Sequence, residues 1–440
     1  MRTRSPLWAL AVGLPLGALG QTNYTPYTFT TLAGLVGNAG ATNGTGSAAR
    51  FHSPHGVAVD RQGNVYVADM DNHMIRKITP AGAVRTLAGM AGVSGTNDGV
   101  GSAARFKTPW SLAVNSAGTL FVADTSNHTV RVISPSGTVN TLAGMPGVPG
   151  STDGTGRGAR FNHPHAVAID GAGNLYVTDH WNHTLRKITP GDSGGTVSTL
   201  AGLAGSPGSA NGTGTVARFR YPAGVAVSST GDVFVSDEYN HAIRKVSSNG
   251  VVTTFAGLAG SGNYGFADAT GTAARFHNPH GCAVDGADNL YVSEMNNGTV
   301  RRITPGGVVT TLAGWPLSAG SANGTGSAVR FSGPRGGAVD SLGNFYLADF
   351  GNQTIRKGWP AGMAPLMVLD PPAIAGGDVR IDFTLRTGSS ASYQLLQADQ
   401  LGGPWITNLN AVLATNVVDV SGRFTAPAGG LIQFYRVQAP

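Results

Sequence analysis

The sequence is poor in cysteine and in charged residues. Its 440 residues contain one cysteine, Cys282, which excludes a disulfide framework. Charged residues make up only 12% of the chain and hydrophobic residues 41%, a balance that argues against intrinsic disorder. Long runs of helix-forming residues are missing too, because 66 glycines and 24 prolines interrupt the chain. These absences leave a protein built from many short strands and turns.

The dominant pattern is a unit that occurs six times. An Arg-Phe-x-x-Pro signature begins every copy, and its phenylalanines are Phe51, Phe106, Phe161, Phe219, Phe276 and Phe331. Each unit holds four runs of β-branched and aromatic residues separated by turn residues, which predicts four antiparallel strands. Such units repeated in a circle form a propeller and leave few exposed sheet edges. The predicted fold class is therefore all-β, with a six-bladed β-propeller.

The ends of the repeat array predict how the ring closes. The sixth unit lacks the Thr-Leu-Ala-Gly outer strand, and a spare copy of that strand precedes the first unit at residues 31–34. We therefore expect residues 28–34 to complete the sixth blade of a propeller that spans 21–358. Residues 359–372 are then a Pro-rich linker, and alternating apolar residues in 373–440 predict a small β-sandwich-like domain.

The first 20 residues have the pattern of a signal peptide. Arg2 and Arg4 precede an apolar stretch at residues 7–19, and small residues follow at a cleavage site. No other apolar run is long enough for a membrane helix. We therefore expect an exported protein without a membrane span, located outside the cell, in the periplasm or on the cell surface.

Three motifs of the units resemble those of the NHL repeat family. They are Pro-x-Gly-x-Ala-x-Asp, Gly-Asn-x-Tyr-Val-x-Asp and Asn-His-x-Ile-Arg-Lys, and the resemblance covers roughly residues 28–358. It implies a propeller that is often six-bladed. We expect a monomeric binding or scaffold protein whose partner is a protein, a glycan or a small molecule. A nucleic-acid partner is not expected, because arginines such as Arg76 recur in register with an acid such as Asp69 and so predict ion pairs within blades.

The position after the repeated proline differs from unit to unit. It is occupied by His55, Trp110, His165, Ala223, His280 and Arg335. Its histidines lie in alternate blades, about 120° apart around the axis, so they can converge in the channel. Three histidines with an open fourth position form a catalytic zinc geometry. The structural alternative is that each imidazole bonds a neighbouring backbone carbonyl.

These channel histidines partly resemble those of the peptidyl-hydroxyglycine amidating lyases, propellers that hold zinc with three histidines. That resemblance implies His55, His165 and His280 as metal ligands. The catalytic arginine and tyrosine of the lyases have no match by motif in this chain. A zinc-dependent lyase or hydrolase is therefore the alternative function, with zinc as its cofactor.

The turn between the second and third strands contributes a further set of candidates. Its repeated Asn-His is interpreted mainly as turn chemistry. The variable neighbours are better candidates for specificity, and they are Met70, His180, Trp181, Glu238, Tyr239 and Phe350. With Trp110 and Arg335 they predict a binding surface on the face that carries the joins between blades. Because nucleophile-elbow, phosphate-loop and His-Glu-x-x-His motifs are missing, the main prediction is a binding protein with neither catalytic residues nor a cofactor.

Overall fold

The structure is a computed structural model that describes residues 26–191 and 194–361 and six short strands beyond them. The predicted signal peptide lies outside the described residues. Residues 26–361 form six antiparallel sheets, one for each sequence unit, and the sixth also contains the N-terminal strand. In every blade the inner strand contacts the inner strands of both neighbouring blades and lines the channel. The six-bladed propeller is confirmed.

The strands are short and are separated by the predicted turns. The first blade has Gly44–Thr45, Pro54–Val59, Val65–Asp69, Met74–Ile78 and Ala83–Gly89. The second has Gly99–Val100, Pro109–Val114, Leu120–Asp124, Thr129–Ile133 and Thr138–Ala143. The third has Gly154–Thr155, Pro164–Ile169, Leu175–Asp179, Thr184–Thr189 and Thr196–Gly202.

The remaining blades follow the same order. The fourth has Gly212–Thr213, Pro222–Val227, Val233–Asp237, Ala242–Val246 and Val251–Ala256. The fifth has Pro279–Val284, Leu290–Glu294, Thr299–Ile303 and Val309–Gly314. The sixth has Gly324–Thr325, Pro334–Val339, Phe345–Asp349, Thr354–Pro360 and, from the start of the described chain, Tyr27–Ala33.

Short 3-10 helices complete the blades. One set precedes the inner strands and comprises Gly46–Ala48, Gly101–Ala103, Gly156–Gly158, Gly214–Val216, Gly271–Ala273 and Gly326–Ala328. The other set forms the turn between the second and third strands and comprises Met70–Asn72, Thr125–Asn127, His180–Asn182, Glu238–Asn240 and Phe350–Asn352. None of the helices among the described residues is both long and apolar enough to cross a membrane.

The sixth blade is closed by the N-terminal strand, as the sequence predicts. Tyr27–Ala33 pairs with Thr354–Pro360, with Phe29 opposite Gly358. The Phe29 side chain is fully buried and lies edge-on to Phe331, with ring centroids 5.1 Å apart. Chain ends that are far apart in sequence are thus held in one sheet.

The blades differ from the predicted four strands in one respect. In five of the six propeller sheets a two-residue strand from the join pairs with the outer strand. The Asn-Gly and Asp-Gly turns explain this, because they direct the join back along the edge of the blade. In the fifth blade the same place is taken by a single bridge between Thr270 and Val308.

Each blade is centred on a buried ion pair, as the in-register charges predict. In the third blade Arg186 Nη1 donates to Asp179 Oδ2 at 2.8 Å, and both side chains are fully buried. Asn182 also donates to this carboxylate, at 2.7 Å. The Arg186 guanidinium lies 5.2 Å from the centroid of Phe161. The phenylalanine of the Arg-Phe signature, the arginine of the third strand and the Asn of the turn therefore serve a structural role.

The strands beyond residue 361 form two small antiparallel sheets. One contains Ala373–Ala375, Asp378–Arg386 and Asp419–Pro427, and the other contains Gln394–Ala398, Ile406–Thr407 and Phe434–Gln438. The proposed linker and the β-sandwich-like domain at 373–440 stay predictions, because much of this region lies outside the described residues.

Candidate functional site

The six residues that follow the repeated proline surround one end of the channel, which we call the funnel. Four of them, His55, Trp110, His165 and His280, line a cavity of about 60 Å³. The inner strands lie very close together here, since a Cβ added to Gly56 would be 2.5 Å from the Trp110 carbonyl oxygen. Glycine at this position therefore allows side chains from different blades to meet on the axis.

The three channel histidines converge as predicted. Their candidate ligand atoms lie within 4.8 Å of one another. The ring centroids are 5.3 Å apart for His55 and His165, 5.0 Å for His55 and His280, and 4.9 Å for His165 and His280. Three imidazoles on one tetrahedral ion at about 2.1 Å would have their ring centres about 5 Å apart. The observed spacing fits that requirement.

All three histidines are buried and uncharged at neutral pH. Burial lowers the pKa of His55, His165 and His280 well below the usual range, and the nearby Arg335 lowers it further. His55 Nδ1 lies 3.0 Å from the Trp110 carbonyl oxygen, which can only accept, so Nδ1 carries the hydrogen and Nε2 keeps a free lone pair. The predicted imidazole-to-carbonyl bond is therefore present at His55, and it orients the ring as metal ligands are oriented.

Arg335 differs from the six fully buried arginines of the propeller. Its side chain is half-buried, and the guanidinium carbon lies 4.8 Å from the centroid of Phe350. Among the described residues its two Nη atoms have neither a hydrogen bond nor a salt bridge within 4.0 Å, whereas those of Arg186 bond to Asp179 and Asp153. Its Nε is unpartnered, as it is in five of the six fully buried arginines. Burial lowers the pKa of Arg335, and Glu238 opposes that shift. The funnel therefore contains a guanidinium whose donors are not used by the protein.

The turn residues add a second layer of polar groups. His180 stacks on His165, with centroids 4.7 Å apart and planes at 26°, and its Nδ1 lies 3.1 Å from the Pro222 carbonyl oxygen. Burial raises the pKa of Glu238 to about 7, and Arg335 lowers it. Ligand atoms of His165, His180 and Glu238 also lie within 4.8 Å of one another. Stacked rings do not point their lone pairs at one ion, so the first histidine trio is the better metal site.

The histidines of the repeated Asn-His turn are structural, in agreement with the sequence interpretation. Each adopts a left-handed conformation, such as φ 59° at His128. His128 Nδ1 accepts a hydrogen bond from the backbone N–H of His163 in the next blade, at 3.2 Å. Gln353 replaces histidine in the sixth blade, and its Oε1 accepts the equivalent bond from Ser53 at 2.6 Å. These side chains link neighbouring blades.

Trp181 and Tyr239 lie outside the funnel, on the surrounding face. Trp181 is 53% exposed and stacks on His163, with centroids 4.1 Å apart and planes at 25°. Tyr239 is 44% exposed and packs edge-on against Tyr221 at 5.1 Å. Sequence reasoning missed His163 and Tyr221. The signal that could have found them is the variation of the residue just before the repeated proline.

The opposite end of the channel is apolar. Its cavity of about 190 Å³ is lined by valine, alanine, leucine and isoleucine side chains of the inner strands, together with Cys282. Burial raises the pKa of the Cys282 thiol to about 12, so this residue is a packed thiol rather than a nucleophile, as the sequence suggests. The histidines of the channel thus lie at the funnel end.

Four stretches of the chain match the NHL repeat family model. They are residues 51–78, 106–133, 161–188 and 219–246, which run from the signature phenylalanine to the third strand in the first four blades. NHL repeat-containing protein 2 from Homo sapiens is 28% identical over 299 residues, covering 60% of this chain and 40% of that protein. Protein SUPPRESSOR OF QUENCHING 1, chloroplastic, from Arabidopsis thaliana is 27% identical over 294 residues, 61% of this chain and 26% of that protein. The chain therefore spans less than half the length of these relatives.

Solved structures share the fold. A protein of unknown function from Bacteroides thetaiotaomicron superposes with a TM-score of 0.60 at 20% identity, over 76% of each chain. An auxiliary nutrient binding protein from the same organism superposes with a TM-score of 0.57 at 15% identity, over 76% of this chain and 77% of the other. At these identities the likeness extends to architecture alone. Four of the six repeats thus match the NHL repeat model, and the chain folds as a six-bladed β-propeller.

Proposed function

We propose that this propeller is an exported binding protein that holds a small anionic group of its ligand in the funnel. The observation that carries the proposal is the unpartnered guanidinium of Arg335 beside three neutral histidines. The six fully buried arginines of the blades are each matched by an acid in register, for example Arg186 by Asp179. Arg335 is half-buried and has no such partner, so part of its hydration is lost without compensation, and we infer that a ligand supplies the partner.

A carboxylate is the group that suits this place best. Arginine presents paired N–H donors that match the two oxygens of a carboxylate or phosphate. The neighbouring cavity of about 60 Å³, which is lined by the three histidines and Trp110, is too small for a whole large ligand. The rest of the ligand would then lie on the face around the funnel, where the turns and joins meet.

Two further lines support a binding role. The solved structures that share this architecture include an auxiliary nutrient binding protein. The proposed export rests on the signal-peptide pattern of residues 1–20. An exported propeller with such a funnel would meet its ligand outside the cytoplasm.

A thermal-shift titration with sodium acetate tests the proposal, with sodium chloride at equal ionic strength as the salt control. We expect acetate to raise the melting temperature of the wild type and to have no effect on Arg335→Met. Arg61→Met removes an exposed arginine beyond the inner strand and should respond like the wild type. Equal acetate responses in wild type and Arg335→Met would overturn the proposal.

The second candidate function is metal-dependent catalysis, and the spacing of His55, His165 and His280 favours it. The three imidazoles would hold a zinc ion, and the metal would supply Lewis-acid chemistry at its open position. The chain itself contributes the orientation of His55 through Trp110 and a water-poor wall of buried side chains. Arg335 would bind an anionic part of the substrate.

Metal analysis of the purified protein distinguishes this candidate. The metal site predicts about one zinc per chain in the wild type after dialysis against buffer containing zinc. His165→Ala should lose it, while His52→Ala, which removes an exposed histidine of the first blade, should keep it. A wild type that retains no metal under these conditions would exclude the catalytic candidate and leave the binding proposal intact.

A further inference from the structure

The side chains on the face around the funnel differ from blade to blade, although the blades themselves share one structure. Two positions, 18 residues apart in every unit, meet on this face: the residue before the repeated proline and the middle residue of the turn. The pairs in blades one to six are Ser53 and Asp71, Thr108 and Ser126, His163 and Trp181, Tyr221 and Tyr239, Asn278 and Asn296, Gly333 and Gly351. Aromatic pairs occupy the third and fourth blades, whereas the sixth blade has no side chains at either position.

The aromatic pairs are fixed by contacts from below. His163 covers one face of Trp181 at 4.1 Å, and 53% of the Trp181 surface stays exposed. Tyr221 packs against Tyr239 at 5.1 Å and against His183 of the preceding turn at 4.5 Å. Trp181 and Tyr239 are therefore held in place and keep open surface. Rings held in this way lose little conformational entropy when a ligand stacks on them.

Polar pairs flank the aromatic blades. On one side the hydroxyls of Thr108 and Ser126 are hydrogen-bonded to each other. On the other side the Asn296 amide donates to Asn278 Oδ1 at 3.0 Å. We name the four pairs of blades two to five the aromatic arc. Hydroxyl and amide groups provide donors and acceptors at both ends of the arc.

The arc carries little charge of its own. Its eight side chains include no aspartate, glutamate, lysine or arginine. The surface combines flat apolar rings with uncharged polar groups.

We propose that the aromatic arc binds a saccharide chain, with sugar rings stacked on Trp181 and Tyr239 and sugar hydroxyls bonded by the flanking pairs. A pyranose ring has apolar C–H faces that pack on an aromatic ring and a rim of hydroxyls that both donate and accept. Two platforms on neighbouring blades suit at least two sugar units of one chain. This inference shares with the proposed function only the assumption that ligands bind to this face of the propeller.

A proline-rich peptide is the other ligand that stacks on aromatic platforms. Such a segment offers mainly carbonyl acceptors, because proline has no backbone N–H. Asn278 is buried and bonded to Asn296 and Glu238. The exposed Asn296 amide and the hydroxyls of Thr108 and Ser126 supply acceptors as well as donors, and a proline-rich segment would leave those acceptors unused. Sugar hydroxyls satisfy both, so the arc favours a saccharide.

Affinity electrophoresis in native gels tests the proposal. The gels contain xyloglucan, galactomannan, hydroxyethylcellulose, laminarin, glycogen or polygalacturonate. At least one polysaccharide is expected to slow the wild type. Trp181→Ala and Tyr239→Ala should each lose most of that retardation. Trp315→Ala removes a tryptophan that is equally exposed, at 54%, but lies outside the arc, and it should migrate like the wild type.

The outcomes separate this inference from the proposed function. If none of the six polysaccharides slows the wild type, or if the Trp181→Ala and Tyr239→Ala variants are slowed as much as the wild type, the saccharide proposal is overturned. Retardation that is abolished by poly-L-proline would indicate a peptide site instead. The acetate response that depends on Arg335 is measured independently. If acetate stabilises the wild type but no polysaccharide slows it, only the saccharide proposal for the aromatic arc is rejected. If a polysaccharide slows the wild type but acetate does not stabilise it, only the anion proposal for the funnel is rejected.

Discussion

Asp179 and Arg186 lie at the buried centre of the third blade, and equivalent residues hold the other five. Their contact of 2.8 Å is supported by hydrogen bonds from Asn182 and from the backbone N–H of Asn162 to the same carboxylate. Burial raises the pKa of Asp179 to about 6, and Arg186 opposes that shift. At the scale of residues, each blade is thus built around a buried carboxylate that accepts several hydrogen bonds.

Removing one partner of this ion pair should destabilise the folded protein. We expect Asp179→Ala to lower the free energy of unfolding by about 3–5 kcal/mol, because Arg186 would be left buried and uncompensated. Asp71→Ala, which removes a partly exposed carboxylate, should change it by less than about 0.5 kcal/mol. Urea denaturation measures both variants. Similar midpoints for the two would contradict the structural role of the pair.

The turn histidines make stability depend on pH. Burial lowers the pKa of His128 to about 4, and the pKa values of His183 and His241 are also lowered. A lowered pKa means that the unfolded chain takes up protons first, so this stability is complete above about pH 6.5 and is lost as the pH falls. Protonation would also cancel the hydrogen bond that each Nδ1 accepts from the next blade.

Glutamine is the substitution that tests this pH dependence, because Gln353 accepts the equivalent hydrogen bond from the next blade and has no titratable group. We expect the triple variant His128→Gln, His183→Gln and His241→Gln to melt near the wild type at pH 7.5. Between pH 7 and pH 5 its melting temperature should fall less than that of the wild type. Parallel curves would show that these histidines do not set the acid sensitivity.

The sequence was enough to predict which residues lie in the funnel, but not all of the contacts between them. Alternate blades carry His55, His165 and His280, and ring symmetry was enough to predict their convergence. That Arg335 lacks a partner depends on how Phe350 and Glu238 pack around it, which a repeat pattern does not contain. The stacking of Trp181 on His163 was missed for a similar reason, since the two residues are 18 positions apart and belong to different loops.

At the scale of elements, the N-terminal strand determines whether the ring is closed. Tyr27–Ala33 is the outer strand of the sixth blade, and it also pairs with Gly324–Thr325. The strand could be predicted because a missing and a spare Thr-Leu-Ala-Gly match in sequence. The short strands of the joins could not, since two-residue segments have no periodicity.

Phe29 tests the closure with a single substitution. We expect Phe29→Ala to lower the free energy of unfolding of the propeller by about 3–5 kcal/mol, because it empties a fully buried site against Phe331. Thr30→Ala, on the other face of the same strand, is the matched control and should lower the free energy of unfolding much less. Deletion of residues 21–35 should destabilise the whole ring further. An unchanged unfolding midpoint after that deletion would refute the closure.

At the scale of the whole molecule, a regular scaffold supports an irregular face. The channel is apolar at one end and lined by histidines at the other, where Arg335 lies near His55 and His280. Aromatic pairs extend that polar end over the third and fourth blades only. This division of roles suits a binding protein. The repeated residues maintain the ring, and the variable residues of the face are free to match a ligand.

The central claim is that Arg335 is kept for a ligand and not for packing. Chemical denaturation of wild type and Arg335→Met without any ligand tests this most directly. We predict that the free energy of unfolding stays the same or rises by up to about 2 kcal/mol, because an unpartnered charge leaves the interior. A loss of more than about 1 kcal/mol would contradict the account, since Arg335 would then be a structural residue like Arg186.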